Sequence, residues 1–114
     1  MADLGASNRR FPRYLTDTEV MIYQGQKMIK ARIKQISRGG CLVLPQLPPT
    51  GNEALRISFR LSEDAAFINC KGDVVYSFPD KGTGIAFTEI SEYNQDRITS
   101  AFDKQPATER QQSA

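Results

Sequence analysis

Apolar and polar side chains alternate with period two through most of the middle of this 114-residue chain. In "LRISFRL" (55–61), Leu55, Ile57, Phe59 and Leu61 share one parity, and Arg56, Ser58 and Arg60 take the other. Successive side chains of a strand point to opposite faces, so this pattern predicts a half-buried strand. "INCKGDVVYSF" (68–78) places Ile68, Cys70, Gly72, Val74, Tyr76 and Phe78 on one parity, which points Tyr76 and Phe78 at the core. "EVMIY" (19–23), "MIKARIKQIS" (28–37), "CLVL" (41–44) and "GIAF" (84–87) complete six candidate strands. The breaks between them are turn-like: "QGQ" (24–26), the proline-rich "PQLPPTGNE" (45–53), "SED" (62–64) and "PDKG" (79–82). Six short strands separated by turns predict a small antiparallel barrel or sandwich. "SEYNQDRITSAF" (91–102) differs: Ser91 suits an N-cap, and Ile98, Ala101 and Phe102 fall at helical spacing. One C-terminal helix is expected, packed against the sheet or across a barrel opening.

One strand breaks its own rhythm. Ile29, Ala31 and Ile33 share a parity, but Ile36 follows Ile33 by three residues. Strict alternation would bury Gln35 and Ser37 and expose Ile36. A bulge near Lys34 reverses this and avoids burying unpaired polar groups at a few kcal/mol. The expectation is therefore a bulge, with Gln35 and Ser37 together on an exposed face. Gly39 and Gly40 come next, where they permit a sharp turn and close approach to the backbone.

Charge sharpens the picture. The net charge is +2, yet Arg9, Arg10, Arg13, Lys27, Lys30, Arg32, Lys34 and Arg38 fall in the first 38 residues, opposed only by Asp3, Asp17 and Glu19. The N-terminal third favours an anionic partner. Residues 1–8 and 105–114 read as disordered tails around a single domain at 9–104. "MADLGASNRR" lacks the apolar core of a signal peptide, and no apolar run approaches the ~20 residues of a membrane helix. A reducing cytoplasm is the expected compartment, with no membrane partner and with Cys41 and Cys70 as buried thiols.

Catalytic chemistry is scarce. The chain has no histidine, so the usual general base and the commonest metal ligand are missing. Two cysteines in separate strands make a poor zinc site. Ser37 has no evident base, and no phosphate-binding glycine loop is present. The chain reads as a non-enzyme with no metal and no cofactor. Binding chemistry is richer. Arginine offers a planar fork of donors to phosphate oxygens and a face that stacks on bases. Gln35 and Ser37 present donors and acceptors suited to a base edge.

These stretches resemble the PilZ domain family. "RRFPR" (9–13) matches its RxxxR motif, and "QISRGG" (35–40) resembles its (D/N)xSxxG motif about 20 residues on. "GDVVYSFPDKGTGIAFTEIS" (72–91) looks like the family's closing hairpin before the helix. The resemblance covers roughly residues 8 to 104. It implies an all-β fold, a six-stranded antiparallel barrel with one C-terminal helix, and a receptor for cyclic di-GMP that signals to a protein effector. By position, Arg9 and Arg13 would grip phosphates and guanine faces, and Arg10 would add to the clamp. Ser37 and Gly40 would line the guanine pocket. Tyr76 stands where the family often has an aromatic beside the ligand, while its parity points to the core, so both placements stay open. The chain departs from the family at Gln35, where Asp or Asn is usual; glutamine keeps an acceptor on a longer stem that loses more rotamer entropy. Two rivals follow: a protein-binding adaptor of the same fold that ignores nucleotide, and a small basic barrel for single-stranded nucleic acid. The second needs outward aromatics for stacking. With the aromatics on core-facing parities and a modest net charge, DNA and RNA are not the expected partners.

Overall fold

A computed structural model describes residues 12–48 and 54–102. Arg9, Arg10 and both expected tails lie outside these residues. The described residues form β1 (Tyr14–Gln24), β2 (Lys27–Ser37), β3 (Gly40–Leu44), β4 (Leu55–Phe59), β5 (Ile68–Phe78), β6 (Gly82–Glu89) and α1 (Glu92–Phe102). The strands close into an antiparallel barrel in the order β1-β2-β3-β6-β5-β4, with β4 returning to pair with β1. Closure leaves no open sheet edge. Inward residues of every strand meet in one core: Val20, Ile22, Ile33, Val43, Ile57, Phe59 and Ile68 are fully buried. The expected barrel and helix are both present.

β1 starts five residues earlier than its apolar pattern suggested. The reason lies at its inward positions, where Thr16 and Thr18 replace apolar residues and hydrogen-bond each other at 2.7 Å. Thr16 and Asp17 together oppose Lys34, which shifts the register between Leu15 and Thr18. The expected bulge on β2 is also there. Ile33 pairs with Val43 and Gln35 with Leu42, leaving Lys34 as the extra residue. It returns Ile36 to the core at 1% exposure.

A second bulge, on β5, overturns a parity reading. Val74 pairs with Ile85 and Tyr76 with Gly84, so Val75 is extra. Side chains beyond it change face. Phe78, expected toward the core, is 49% exposed, and Tyr76, whose placement the sequence leaves open, is 41% exposed. Ser77 takes the inward parity at the rim of the barrel, where it stays exposed, and its partner Thr83 is fully buried.

α1 is capped as expected: the Asn94 N–H donates to Ser91 Oγ at 3.0 Å. It is pinned to the barrel at three places. Ile98 is fully buried. Phe102 stacks on Tyr14 with ring centroids 5.4 Å apart. Arg38, in the β2–β3 turn, donates to Asp96 at 2.8 Å and to Thr99 at 3.2 Å, and its carbonyl accepts from Gln95 Nε2 at 2.9 Å.

Candidate functional site

The outer face of β2, β3, β6 and β5, with Arg13 ahead of β1, carries a cleft of about 270 Å³. It is built by strand pairing. Tyr14 pairs with Ile36, which sets Arg13 alongside Ser37 at the start of β1. Ser37 pairs with Gly40, and Gly40 with Ala86. Gly84 then pairs with Tyr76. A row of outward positions thus crosses the barrel wall, and its centre holds only glycine and alanine. That deficit of side chain makes the depression.

Arg13, Gln35, Ser37, Gly40 and Tyr76 all line this one cleft. Arg13 is the charged residue among those lining it. The basic residues of β2 and its turn are directed elsewhere. Arg32 and Lys34 both reach the Asp17 carboxylate, at 2.5 and 3.1 Å, Lys30 lies 3.9 Å from Glu19, and Arg38 is paired with Asp96. The Arg32 hydrogen bond, then that of Lys34, holds the Asp17 carboxyl below its ordinary range, and the same pairing raises the Arg32 guanidinium. Much of the positive surplus read from the N-terminal third is therefore matched on the barrel itself.

Ser37 corrects one expectation. It shares the outward face with Gln35, yet it is only 7% exposed. Its hydroxyl accepts from the Gly39 N–H at 3.1 Å, closing a local turn. Ser37 therefore forms the recessed floor of the cleft, and its hydroxyl proton remains available to donate. Gln35 is half-buried on the rim, flanked across the ladders by Leu15 and Leu42. Gly40 is needed for close approach: a Cβ there would stand 2.3 Å from the Ile85 carbonyl oxygen. Gly39 likewise forms its turn without a positive φ.

Among the lining residues that escaped the sequence reading are Leu42, Gly84 and Ala86. Parity could have found Leu42, since Cys41 and Val43 point inward. Gly84 matters most. A Cβ there would fall 2.3 Å from Tyr76 Cε2, so the tyrosine ring lies directly on the glycine backbone. "GTG" is too short to read as a phosphate loop; its second glycine serves as the bed for an aromatic ring.

The two cysteines offer no nucleophile. Burial pushes the Cys70 thiol up to about 12, and the buried Cys41 thiol higher still. Both are free. Among the described residues no cluster of histidine, cysteine or carboxylates could hold a metal ion. Among those residues no helix is long and apolar enough to cross a membrane.

Comparison with known proteins agrees with this architecture. Among solved structures, the Bacillus subtilis inhibitor of motility MotI/DgrA superposes with a TM-score of 0.64 at 22% identity, covering 85% of this chain and 53% of that one. The chain therefore spans about half the length of that relative. The PilZ domain of CeSA from a cellulose-synthesizing bacterium superposes with a TM-score of 0.56 at 18% identity, covering 80% and 95% of the two chains. At such identities the likeness is one of fold. No curated protein matches the sequence. The PilZ domain family model matches residues 7–103. With that match over a closed six-stranded barrel, a capped C-terminal helix and Arg13 beside the second motif on one cleft, the chain belongs to the PilZ domain family.

Proposed function

We propose that the protein is a cytoplasmic receptor for cyclic di-GMP, which it binds on the outer barrel wall to signal to a protein effector. One observation carries the reading: Arg13 of the first motif and Gln35, Ser37 and Gly40 of the second converge on the same cleft as Tyr76. The roles follow from chemistry. Ser37 and Gln35 meet the hydrogen-bonding edge of a guanine. Tyr76 supplies an aromatic face. Gly40 and Gly84 let the base approach the strands. Arg13 offers its fork to a phosphate. Arg9 and Arg10, four and three residues upstream, add guanidinium groups as the leading segment settles over the ligand.

Magnitudes support the need for several arginines. Fixing five or six residues costs on the order of 5–10 kcal/mol. One charge-assisted hydrogen bond returns ~1.5–3 kcal/mol. The settled segment and ligand together form a new surface for the effector. The site binds and releases its ligand unchanged, with no catalysis, metal or cofactor, and with neither DNA, RNA nor membrane as partner.

Calorimetry with cyclic di-GMP tests the reading. Saturable binding at tens of micromolar protein is expected, and Arg13→Ala should weaken it about tenfold or more. No heat at that concentration, or an Arg13 variant that binds as well as the parent, refutes it. Gln35 favours a second reading, a PilZ adaptor that ignores nucleotide, because it replaces the short acidic or amide side chain usual there. If only Gln35→Asp binds the nucleotide, the adaptor reading is correct.

A further inference from the structure

The cleft volume of about 270 Å³ lies just below the usual range of small-molecule sites, whereas cyclic di-GMP carries two purines. The wall beyond Tyr76 is built to take more. Phe78 continues outward from Tyr76, with ring centroids 5.8 Å apart and planes 28° from parallel. Lys81 reaches over the Phe78 ring, its Nζ 6.0 Å from the centroid. The Lys81 N–H donates to the Phe78 carbonyl at 3.2 Å, which sets the turn that brings the ammonium there.

The strand beneath this aromatic pair is tied down. Between the two rings, Ser77 points the other way. Its hydroxyl lies 3.1 Å from Thr83 Oγ1 and accepts from Gln46 Nε2 at 2.9 Å. Thr83 also accepts the Leu47 N–H at 2.9 Å. The strand beneath the rings is thus bolted to the loop after β3 before any ligand arrives. Phe78 is 49% exposed, and the Val75 bulge is what turns it there. An exposed ring with a cation over it suits a purine joined to a phosphate, because the lysine can move from the ring to the phosphate as the base stacks.

We infer that Phe78 and Lys81 form an outer subsite that stacks the second purine of the dinucleotide and faces its phosphate, while the cleft holds the first. This rests on the receptor reading above.

The test compares cyclic di-GMP with 5′-GMP, which has one purine and needs only the cleft. Phe78→Ala should weaken the dinucleotide about fivefold or more and leave 5′-GMP unchanged. Phe78→Leu, which keeps apolar bulk but no ring, should behave like the alanine variant. Lys81→Gln should weaken the dinucleotide and flatten its salt dependence. In the parent, the Phe78 ring protons should shift upfield on adding cyclic di-GMP but not 5′-GMP. Variants that bind both ligands like the parent overturn the subsite and leave the receptor reading intact. Equal losses for both ligands also overturn it, because they assign Phe78 to supporting Tyr76. A parent protein that binds neither ligand ends both proposals.

Discussion

Gly40 and Gly84 occupy neighbouring outward positions, and a Cβ at either would come within 2.3 Å of another atom. What it would strike differs. At Gly40 it meets the Ile85 carbonyl oxygen, so two strands must part; Gly40→Ala should lower stability by about 1–3 kcal/mol, read by urea unfolding. At Gly84 it meets the ring of Tyr76, which is exposed enough to swing away. Gly84→Ala should cost less than about 1 kcal/mol of stability yet weaken ligand binding, because the ring leaves its bed in the cleft. Asp17 gives a pH prediction. Its carboxyl is held below its ordinary 3.8 by the hydrogen bonds from Arg32 and Lys34. A depressed folded-state value stabilises the fold above the unfolded-state value, and the benefit is lost as pH falls through the folded one. Asp17→Asn should therefore be less stable than the parent at pH 7, and the gap should close below about pH 3.8. Salt should narrow it at neutral pH, since the pair is exposed.

Among the elements, what the sequence could reveal followed the strength of its periodicity. β4 has clean alternation and was read correctly. The Lys34 bulge was legible because Ile36 announced it by breaking phase. The Val75 bulge was not. Val74, Val75, Tyr76 and Phe78 are all apolar or aromatic, so a change of face leaves no polar residue in an implausible place. The same silence hid the outward turn of Phe78 and left Tyr76 undecided. It also weakens the premise used against a nucleic-acid partner, since Phe59 faces inward but Tyr76 and Phe78 do not; the match to the PilZ family over residues 7–103 now directs the reading toward the dinucleotide. The first half of β1 was missed because paired threonines fill its inward positions. α1 was legible from its cap and its buried Ile98. Ser91→Ala removes the acceptor for the Asn94 N–H and should lower stability by about 1 kcal/mol, measured by thermal or urea unfolding. The helix also braces the site, since Arg38 joins it to the turn that carries Ser37 and Gly40.

As a whole, the molecule is a barrel whose closure brings distant segments onto one wall. Arg13 precedes β1 while Tyr76 sits on β5, and only the strand order β1-β2-β3-β6-β5 sets them on opposite lips of one cleft. The two motifs were visible as letters, but that Arg13 meets the second motif depends on register. A leading segment departing from the opposite wall would have separated Arg13 from Ser37; the pairing of Tyr14 with Ile36 puts them side by side. The opposite wall, lined by Tyr23, Arg56 and Lys71, serves as an internal control. Amide NMR during titration with cyclic di-GMP tests the account most directly. Shifts should concentrate at Arg13, Gln35 to Gly40, Tyr76 and Gly84, and leave Tyr23, Arg56 and Lys71 unmoved. A spectrum unchanged at excess nucleotide, or shifts centred on the opposite wall, would contradict it.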